Sequence, residues 1–557
     1  MVDTGSSTAA APRPENDTGR LDGASRGRIF AVIAVVVLFA EVAPLQYTMV
    51  SPAAQLIGRS FPGVGSNIAW MTIVFGLVGG AATPILGKLS DLYGKRNMLL
   101  AVGVSFLIGS LICATTGNWT LFLIGRAFQA VAIAAATVAY GLIRDLIPRK
   151  YVPLAIGLVS TGLGVSGVGG IMLSGVLTDT AGWSYKSLFW FLVVYTLVTL
   201  PLLFIVCPET KFRARQKLDP LGALLLAGGV GFALLYVSNG ANVGWTDGLY
   251  LGYLVLGVVL MAAFVVLERR VSQPIIDLRL LFSPKVSAVL FIAFFASIVV
   301  GIQAFAIPYM VSTPSHDGLI AMTQQGAAAR FKGLVQPNQI PVKVLGDVSY
   351  GLGFTLLGLA FRVQVWGSSV AMVSGAVSGQ LSGKIGARKP LLIGMFAFAL
   401  TSGVYAADHH GALWLALVGI VFGVGFGSYY ATTPNLLVEA SPPEQQGITA
   451  GMLGVSNSIG TAVGTAIAAA FQAAHPVKLV VAGQTVLAGT PDPKTGITER
   501  AGVFTDAAYT QIFIAAAIAG TIALIGTYFM RSGRTASTGG LGYLSDEAAP
   551  AKEAATA

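Results

Sequence analysis

Residues 87–100 read GKLSDLYGKRNMLL, and residues 379–392 read GQLSGKIGARKPLL. The offset is 292 positions, and seven of the fourteen residues agree. Each stretch leaves one apolar run, crosses a short basic connection and enters the next apolar run. A shared pattern in that setting marks two copies of one larger unit, which predicts a chain built from two homologous halves.

The composition says what surrounds those halves. Of 557 residues, 54% are hydrophobic and 10% charged, with 69 glycines, and the mean hydropathy is +0.75. Soluble domains carry roughly 25% charged residues, so a soluble enzyme, a disordered chain and a secreted disulfide scaffold are all excluded. The chain reads as an all-α integral membrane protein. Cys113 and Cys207 fall in separate apolar runs near opposite faces, which rules out a disulfide between them. The formal net charge of +10 is carried by short clusters between the runs, the arrangement that sets membrane orientation. No nucleic-acid partner is expected.

Residues 1–28 are polar and rich in Ser, Thr, Ala, Pro and Gly, and are expected to form a disordered cytoplasmic tail. Fourteen apolar runs follow, each long enough to cross a bilayer as a helix. They fall at 29–50, 67–87, 97–116, 119–143, 153–177, 187–207, 221–240 and 249–267, then at 286–311, 353–379, 390–407, 412–437, 447–472 and 509–530. The first is too long for a signal-peptide core. The runs group as six helices in 29–207, two additional helices in a linker at 208–285, and six helices in 286–530, followed by a second disordered cytoplasmic tail at 531–557.

An even number of spans puts both termini on one side. With the N-terminus cytoplasmic, 24 of the 34 Lys and Arg fall in the tails and inner loops, 8 in outer loops and 2 within spans. Short outer loops hold only Arg59 and Lys186, whereas inner loops hold Arg144, Arg149 and Lys150, and Lys211, Arg213, Arg215 and Lys217. Basic residues stay on the cytoplasmic side, so both termini are expected there. All four histidines (His316, His409, His410, His475) then come out external, and no His pair or relay is available within the membrane.

Halves of this kind are the usual construction of secondary transporters. The stretch from Gly87 through Asp91 and Gly94 to Lys95 and Arg96 resembles the loop between helices 2 and 3 of the major facilitator superfamily. The resemblance implies glycines at a tight cytoplasmic turn and an acid and a base that lock neighbouring helices, the acid also facing a helix N-terminus in the opposite half. Gly379, Gly386 and Arg388 repeat the framework, with Gly383 in place of the acid. A basic loop that serves only orientation, with a solvated Asp, is the alternative. Further stretches resemble the fourteen-helix drug:proton antiporter branch: Arg126-Ala-Phe-Gln129, Leu218-Asp219-Pro-Leu-Gly222 and Pro274-Ile-Ile-Asp277-Leu-Arg279-Leu-Leu-Phe282. The chain departs from that branch in helix 5, where Gly170-Ile-Met-Leu-Ser-Gly175 lacks a proline and a glycine, and in helix 1, where Gln46 stands at the position of an Asp.

The missing carboxylate directs attention to Glu41. It lies roughly 18 Å into the first run, in a hydrocarbon core of about 30 Å. A lone carboxylate there is costly when charged, a reason to expect it to exchange a proton, face a cavity or pair with a cation such as Arg126. Glu41 and Arg126 are therefore the proton-coupling candidates, with static structural roles as the alternative. Gln46, Tyr47 and Gln303, on the first and ninth helices, are candidate substrate contacts or interhelical hydrogen-bonding groups. Gly162, Gly164, Gly167, Gly169 and Gly170 suit close helix packing. No cofactor, nucleotide or metal site is expected.

Residues 312–350 and 473–508 form outer loops of unusual length. Within the second, Val477–Val481 and Thr485–Ala488 alternate around Gly483 like two short strands, a disordered loop being the alternative. The resulting expectation is a multi-pass inner-membrane transporter, bacterial by its Ala/Gly-rich composition. It would couple protons to export of hydrophobic or amphipathic small molecules, among membrane lipids. A substrate-specific transporter of other directionality, or a lipid-interacting scaffold whose outer loops bind an extracytoplasmic protein or lipid, would use the same architecture.

Overall fold

The computed structural model describes residues 21, 23–148, 151–210, 219–271, 278–330, 335–441, 446–489 and 502–536. Most basic inner-loop residues cited for orientation, namely Arg149, Lys150 and Lys211–Lys217, lie outside them, as do Leu218 and Pro274–Asp277. In chain order the long helices begin with α1 (Arg26–Val50), α2 (Gly65–Tyr93), α3 (Lys95–Thr115), α4 (Trp119–Leu146), α5 (Val152–Gly175), α6 (Lys186–Val206) and α7 (Pro220–Val243). They continue with α8 (Gly248–Glu268), α9 (Pro284–Ser312), α10 (Leu356–Ile385), α11 (Arg388–Ala407), α12 (Ala412–Ala440), α13 (Gln446–Ala474) and α14 (Asp506–Phe529). Among the described residues, 12 helices are long and apolar enough to cross a membrane. The other two long ones, α5 and α7, are helices of 24 residues each where the fifth and seventh runs were expected.

Packing follows the sequence repeat. In the first half α1 lies on α5 and α6, α2 on α4, and α3 on α4 and α6. The second half repeats these pairings eight helices later: α9 on α13 and α14, α10 on α12, α11 on α12 and α14. The halves meet where α2 packs on α13 and α5 on α10, while α7 and α8 pack together and α7 leans on α2 and α13. Lipid supplies no hydrophobic drive between helices, so close approach through small residues has to serve. At the α2–α13 seam a Cβ added to Gly76 would stand 2.9 Å from the Ser458 carbonyl oxygen. One added to Gly80 would stand 2.9 Å from Ser458 Cβ.

Several expectations need correction. The first tail does not run to residue 28: α1 starts at Arg26, and the Oγ of its N-cap Ser25 accepts the Arg28 N–H at 3.3 Å. Nor is the second tail free from residue 531. The stretch 531–536 is described, and Gly533 O accepts the Arg388 N–H at 3.0 Å. Helix α1 is interrupted at Glu41, between Arg26–Ala40 and Val42–Val50.

The two long stretches expected as outer loops, 312–350 and 473–508, are not simple loops. The first contains a helix, His316–Arg330, and strand β1 (Val342–Leu345). The second contains β2 (Lys478–Val481) and β3 (Gln484–Leu487), matching the strand alternation, with Ala482 and Gly483 in the turn at φ 48° and 84°. Strand β2 lies in the middle of an antiparallel sheet, Val342 opposite Val481 and Lys478 opposite Leu487. The third strand, β1, was not foreseen because its short stretch carries no turn partner of its own. Buried Val477, Leu479, Ala488 and Phe504 anchor this unit, and Tyr350 Oη donates to Phe504 O at 2.5 Å.

Candidate functional site

Arg126, on α4, is 2% exposed. Its Nε donates to Met71 O at 3.1 Å, and its Nη1 donates to Gln46 Oε1 at 2.6 Å and Gln129 Oε1 at 2.7 Å. The guanidinium also lies 4.9 Å from the centroid of the Phe75 ring. Gln129 passes the network on, its Nε2 donating to Ser110 Oγ at 2.8 Å. A buried guanidinium is tolerable only when its fork of N–H groups finds acceptors, and here one residue ties α4 to α1 and α2 while Gln129 ties α4 to α3. Gln46, standing where the antiporter branch has an acid, serves as a neutral acceptor for the arginine.

Glu41 does not meet Arg126. It is 9% exposed, and its Oε2 accepts the Ser166 hydroxyl from α5 at 2.5 Å. Thr48 adds a second tie between the same helices, its Oγ1 donating to Ser166 O at 2.7 Å. The α1–α5 approach depends on Gly170: an added Cβ would stand 3.0 Å from Thr48 Cβ and 3.3 Å from Leu45 O. The expected acid–base pair is thus replaced by two separate connections from α1, Glu41 to α5 and Gln46 to α4. The residue spacing shows both side chains, but only the rotation of α1 decides which neighbour each reaches.

Gln46 Nε2, Tyr47 Oη and Gln303 Nε2 are buried polar atoms with no hydrogen-bond partner among the described residues. All three belong to the residues proposed from sequence as substrate contacts. Gln303 sits at the α1–α9 seam, next to Ala304, whose carbonyl accepts the Ser51 hydroxyl at 3.0 Å. Further along the seam, Gln55 Nε2 donates to Tyr309 O at 2.8 Å and Thr313 Oγ1 at 2.7 Å. Asp179, beyond α5, accepts the Leu357 N–H of α10 at 2.6 Å. The halves are therefore hydrogen-bonded at the ends of the helices away from the 87–96 loop. In the second half Tyr429 of α12 makes a neutral network: its Oη donates to Asn457 Oδ1 at 2.6 Å and lies 3.0 Å from Ser297 Oγ. Sequence reasoning missed that network, which no charge advertises.

At the opposite end, Lys95 Nζ lies 2.9 Å from Asp91 Oδ1 and 2.7 Å from Asp145 Oδ2. The lock between helices is therefore Lys95–Asp145, from α3 to α4, with Asp91 of α2 on the same ammonium. The expected acid–base pair of the motif is present as Asp91–Lys95; residues 442–445, just before α13 of the opposite half, lie outside the described residues. Gly94, at φ 99°, makes the turn between α2 and α3. A Cβ there would stand 2.5 Å from the Glu209 carboxyl carbon, whose oxygens accept the N–H groups of Arg96 at 3.2 Å and Asn97 at 3.0 Å. Glu209 thus satisfies free N–H groups at the start of α3 and sits favourably against its dipole. Arg96 in turn donates from Nη1 to Cys207 O at 3.3 Å.

The second copy keeps the geometry with other chemistry. Gly386 has φ 85°, and the chain after α14 replaces Glu209, with Gly533 O accepting from Arg388 N. Arg388 also donates to the carbonyls of Thr527 and Tyr528 at the end of α14. Gly87 and Gly379 lie inside α2 and α10 rather than in the turns, so only the second glycine of each motif makes the bend.

Comparison with known proteins agrees with this geometry. The family model described as the Major Facilitator Superfamily matches residues 36–328 and 289–536, two overlapping stretches that together span both halves. The chain is 32% identical over 254 residues, 45% of its length and 55% of the relative's, to the uncharacterized MFS-type transporter YvkA of Bacillus subtilis. It is 27% identical over 423 residues, 75% of its length and 71% of the relative's, to the multidrug resistance protein Stp of Mycobacterium tuberculosis. It spans about half the length of the first curated relatives it matches, 55% and 49%. A crystal structure of a D-xylose-proton symporter shares the fold at 12% identity and a TM-score of 0.57, over 92% of this chain and 99% of that one.

Proposed function

This chain belongs to the major facilitator superfamily, and we propose that it exports hydrophobic or amphipathic small molecules by proton-coupled alternating access. It is a multi-pass inner-membrane protein, placed in our reading with both termini in the cytoplasm. The observation that carries the reading is a set of buried polar atoms on α1 and α9. Gln46, Tyr47 and Gln303 offer polar atoms without a hydrogen-bond partner among the described residues on the two helices, α1 and α9, that occupy equivalent places in the repeat. A few oriented polar groups in an apolar surround suit an amphipathic ligand. The efflux character rests on the multidrug resistance relative.

The coupling argument rests on Glu41. A carboxylate in the hydrocarbon region is costly when charged unless a hydrogen bond or a cation compensates it. Ser166 supplies one hydrogen bond, and Arg126 is committed elsewhere. A proton on Glu41 and a cationic or polar substrate nearby then compete for the same carboxylate. That competition gives exchange. The ties Gln55–Tyr309, Ser51–Ala304 and Asp179–Leu357 would break when the outer side opens, and the Lys95 ion pairs would respond when the inner side closes.

Transport in proteoliposomes tests the reading. Purified protein should move amphipathic cationic dyes against their gradient only when an opposing pH gradient is imposed. Equal dye movement with and without that gradient would refute proton coupling.

A further inference from the structure

We propose that His409, His410 and Asp506 form a binding site for a zinc-class divalent cation on the outer face of the second half. The three residues come from the short connection after α11 and from the first turn of α14. One ligand atom of each lies within 4.8 Å of the others. His409 Nε2 stands 2.9 Å and His410 Nε2 3.3 Å from Asp506 Oδ1. His409 is 2% exposed, and its ring stacks on that of His410 with centroids 5.0 Å apart.

The second nitrogen of each ring fixes which atom is free to coordinate. His409 Nδ1 lies 2.9 Å from Tyr405 O, and His410 Nδ1 lies 2.8 Å from Asp408 Oδ1. A carbonyl and a carboxylate can only accept, so both Nδ1 atoms carry hydrogen and both Nε2 atoms of the neutral rings present lone pairs. His409 Nε2 and Asp506 Oδ1, though close, are buried atoms that do not form an aligned hydrogen bond. Two lone pairs facing each other repel, and a cation bound by both removes the repulsion. Histidine ligands whose other nitrogen donates to a carbonyl or carboxylate are the usual outer shell of a metal centre. Two imidazoles and one carboxylate favour zinc, copper or nickel over magnesium or calcium, and they leave a fourth position for water.

Ser349 Oγ lies 3.1 Å from His410 Nε2, a hydroxyl contact that a bound cation would displace, and Asp506 N donates to Asp347 O at 2.9 Å, so the segment after β1 reaches the same point. A metal there would fasten the connection after α11 to the start of α14, against which the segment after β1 rests. All its ligands belong to one half, so it stiffens that half without barring movement between the two.

The test uses full-length protein in detergent, with any affinity tag removed, stripped by a chelator and then dialysed against micromolar zinc. The expected result is one zinc per chain, a raised thermal unfolding midpoint, and a strong visible absorption of tetrahedral type when cobalt(II) replaces zinc. His410→Ala, at a half-exposed position with little folding risk, should lose stoichiometric zinc. Asp408→Ala, which removes only the support of a ligand, should weaken binding by about tenfold to a hundredfold. Wild-type protein without stoichiometric zinc, or His410→Ala binding zinc as tightly as wild type, would overturn the proposal. An unfolding midpoint unmoved by zinc would do the same.

Discussion

Arg126 Nη1 donates to Gln46 Oε1 at 2.6 Å, fastening the fourth helix to the first through a charged group whose partner is neutral. Removing either side leaves a buried polar atom unsatisfied. A double-mutant cycle of Gln46→Leu and Arg126→Leu, read by thermal unfolding, should give a coupling of about 1.5–3 kcal/mol, the range for hydrogen bonds to charged groups. Additive effects would mean that the bond is unimportant to the fold.

The Lys95 ion pairs differ in burial, and the difference sets an order. The Asp145 side chain is 15% exposed and that of Asp91 38% exposed, so the Asp145 pair is less screened by water. Asp145→Asn should therefore slow transport more than Asp91→Asn, by roughly tenfold if the lock contributes a typical coupling energy. Initial rates at matched protein levels check this. Asp91→Asn is expected to retain ligand binding, since Lys95 keeps its second partner.

Gly94 and Gly383 make a contrast within the repeat. Gly94 has a positive φ and Glu209 against it, whereas an added Cβ at Gly383 meets nothing within 4 Å. Gly94→Ala should destabilise the protein by about 1–3 kcal/mol, the cost of a strained backbone. Gly383→Ala should be neutral or stabilise by up to about 1 kcal/mol through helix propensity. Unfolding midpoints of the two variants decide the matter.

Much of the fold was legible because its signals are local. An apolar run long enough to span needs no neighbour to be recognised, and the positive-φ glycines of both loops sit inside the quoted repeat. The strands around Gly483 also announce themselves through alternation and a turn. What the sequence withheld depends on which faces meet. Glu209 caps α3 from more than a hundred positions away, β1 adds to its sheet across α10 to α13, and the partners of Glu41 and Arg126 follow from the rotation of α1. Gln46, Tyr47 and Gln303 were singled out because they are polar residues on helices 1 and 9, and each keeps one buried polar atom unpartnered among the described residues. Ser166 and Asn457 were not, since a lone polar residue in a span has no spacing to mark it.

The outer sheet yields a test of its own. Deleting residues 478–487 and bridging the ends with a glycine-rich linker removes the middle strand and leaves β1 unpaired on its sheet side. Membrane insertion should survive, because the spans are independent of the sheet. The unfolding midpoint should fall by several degrees, and Lys343 should become accessible to protease. Unchanged protection at Lys343 would show that β1 is held by other contacts.

The central claim is that Glu41 carries the proton. The most direct measurement is uphill dye transport by Glu41→Gln in proteoliposomes under an imposed pH gradient, beside dye binding by the same protein. Glutamine keeps the size and can still accept from Ser166, so folding should be retained. The account predicts that accumulation against the gradient is lost while binding persists and no longer varies with pH. Accumulation at the wild-type rate would contradict it and leave Glu41 as a structural link between α1 and α5.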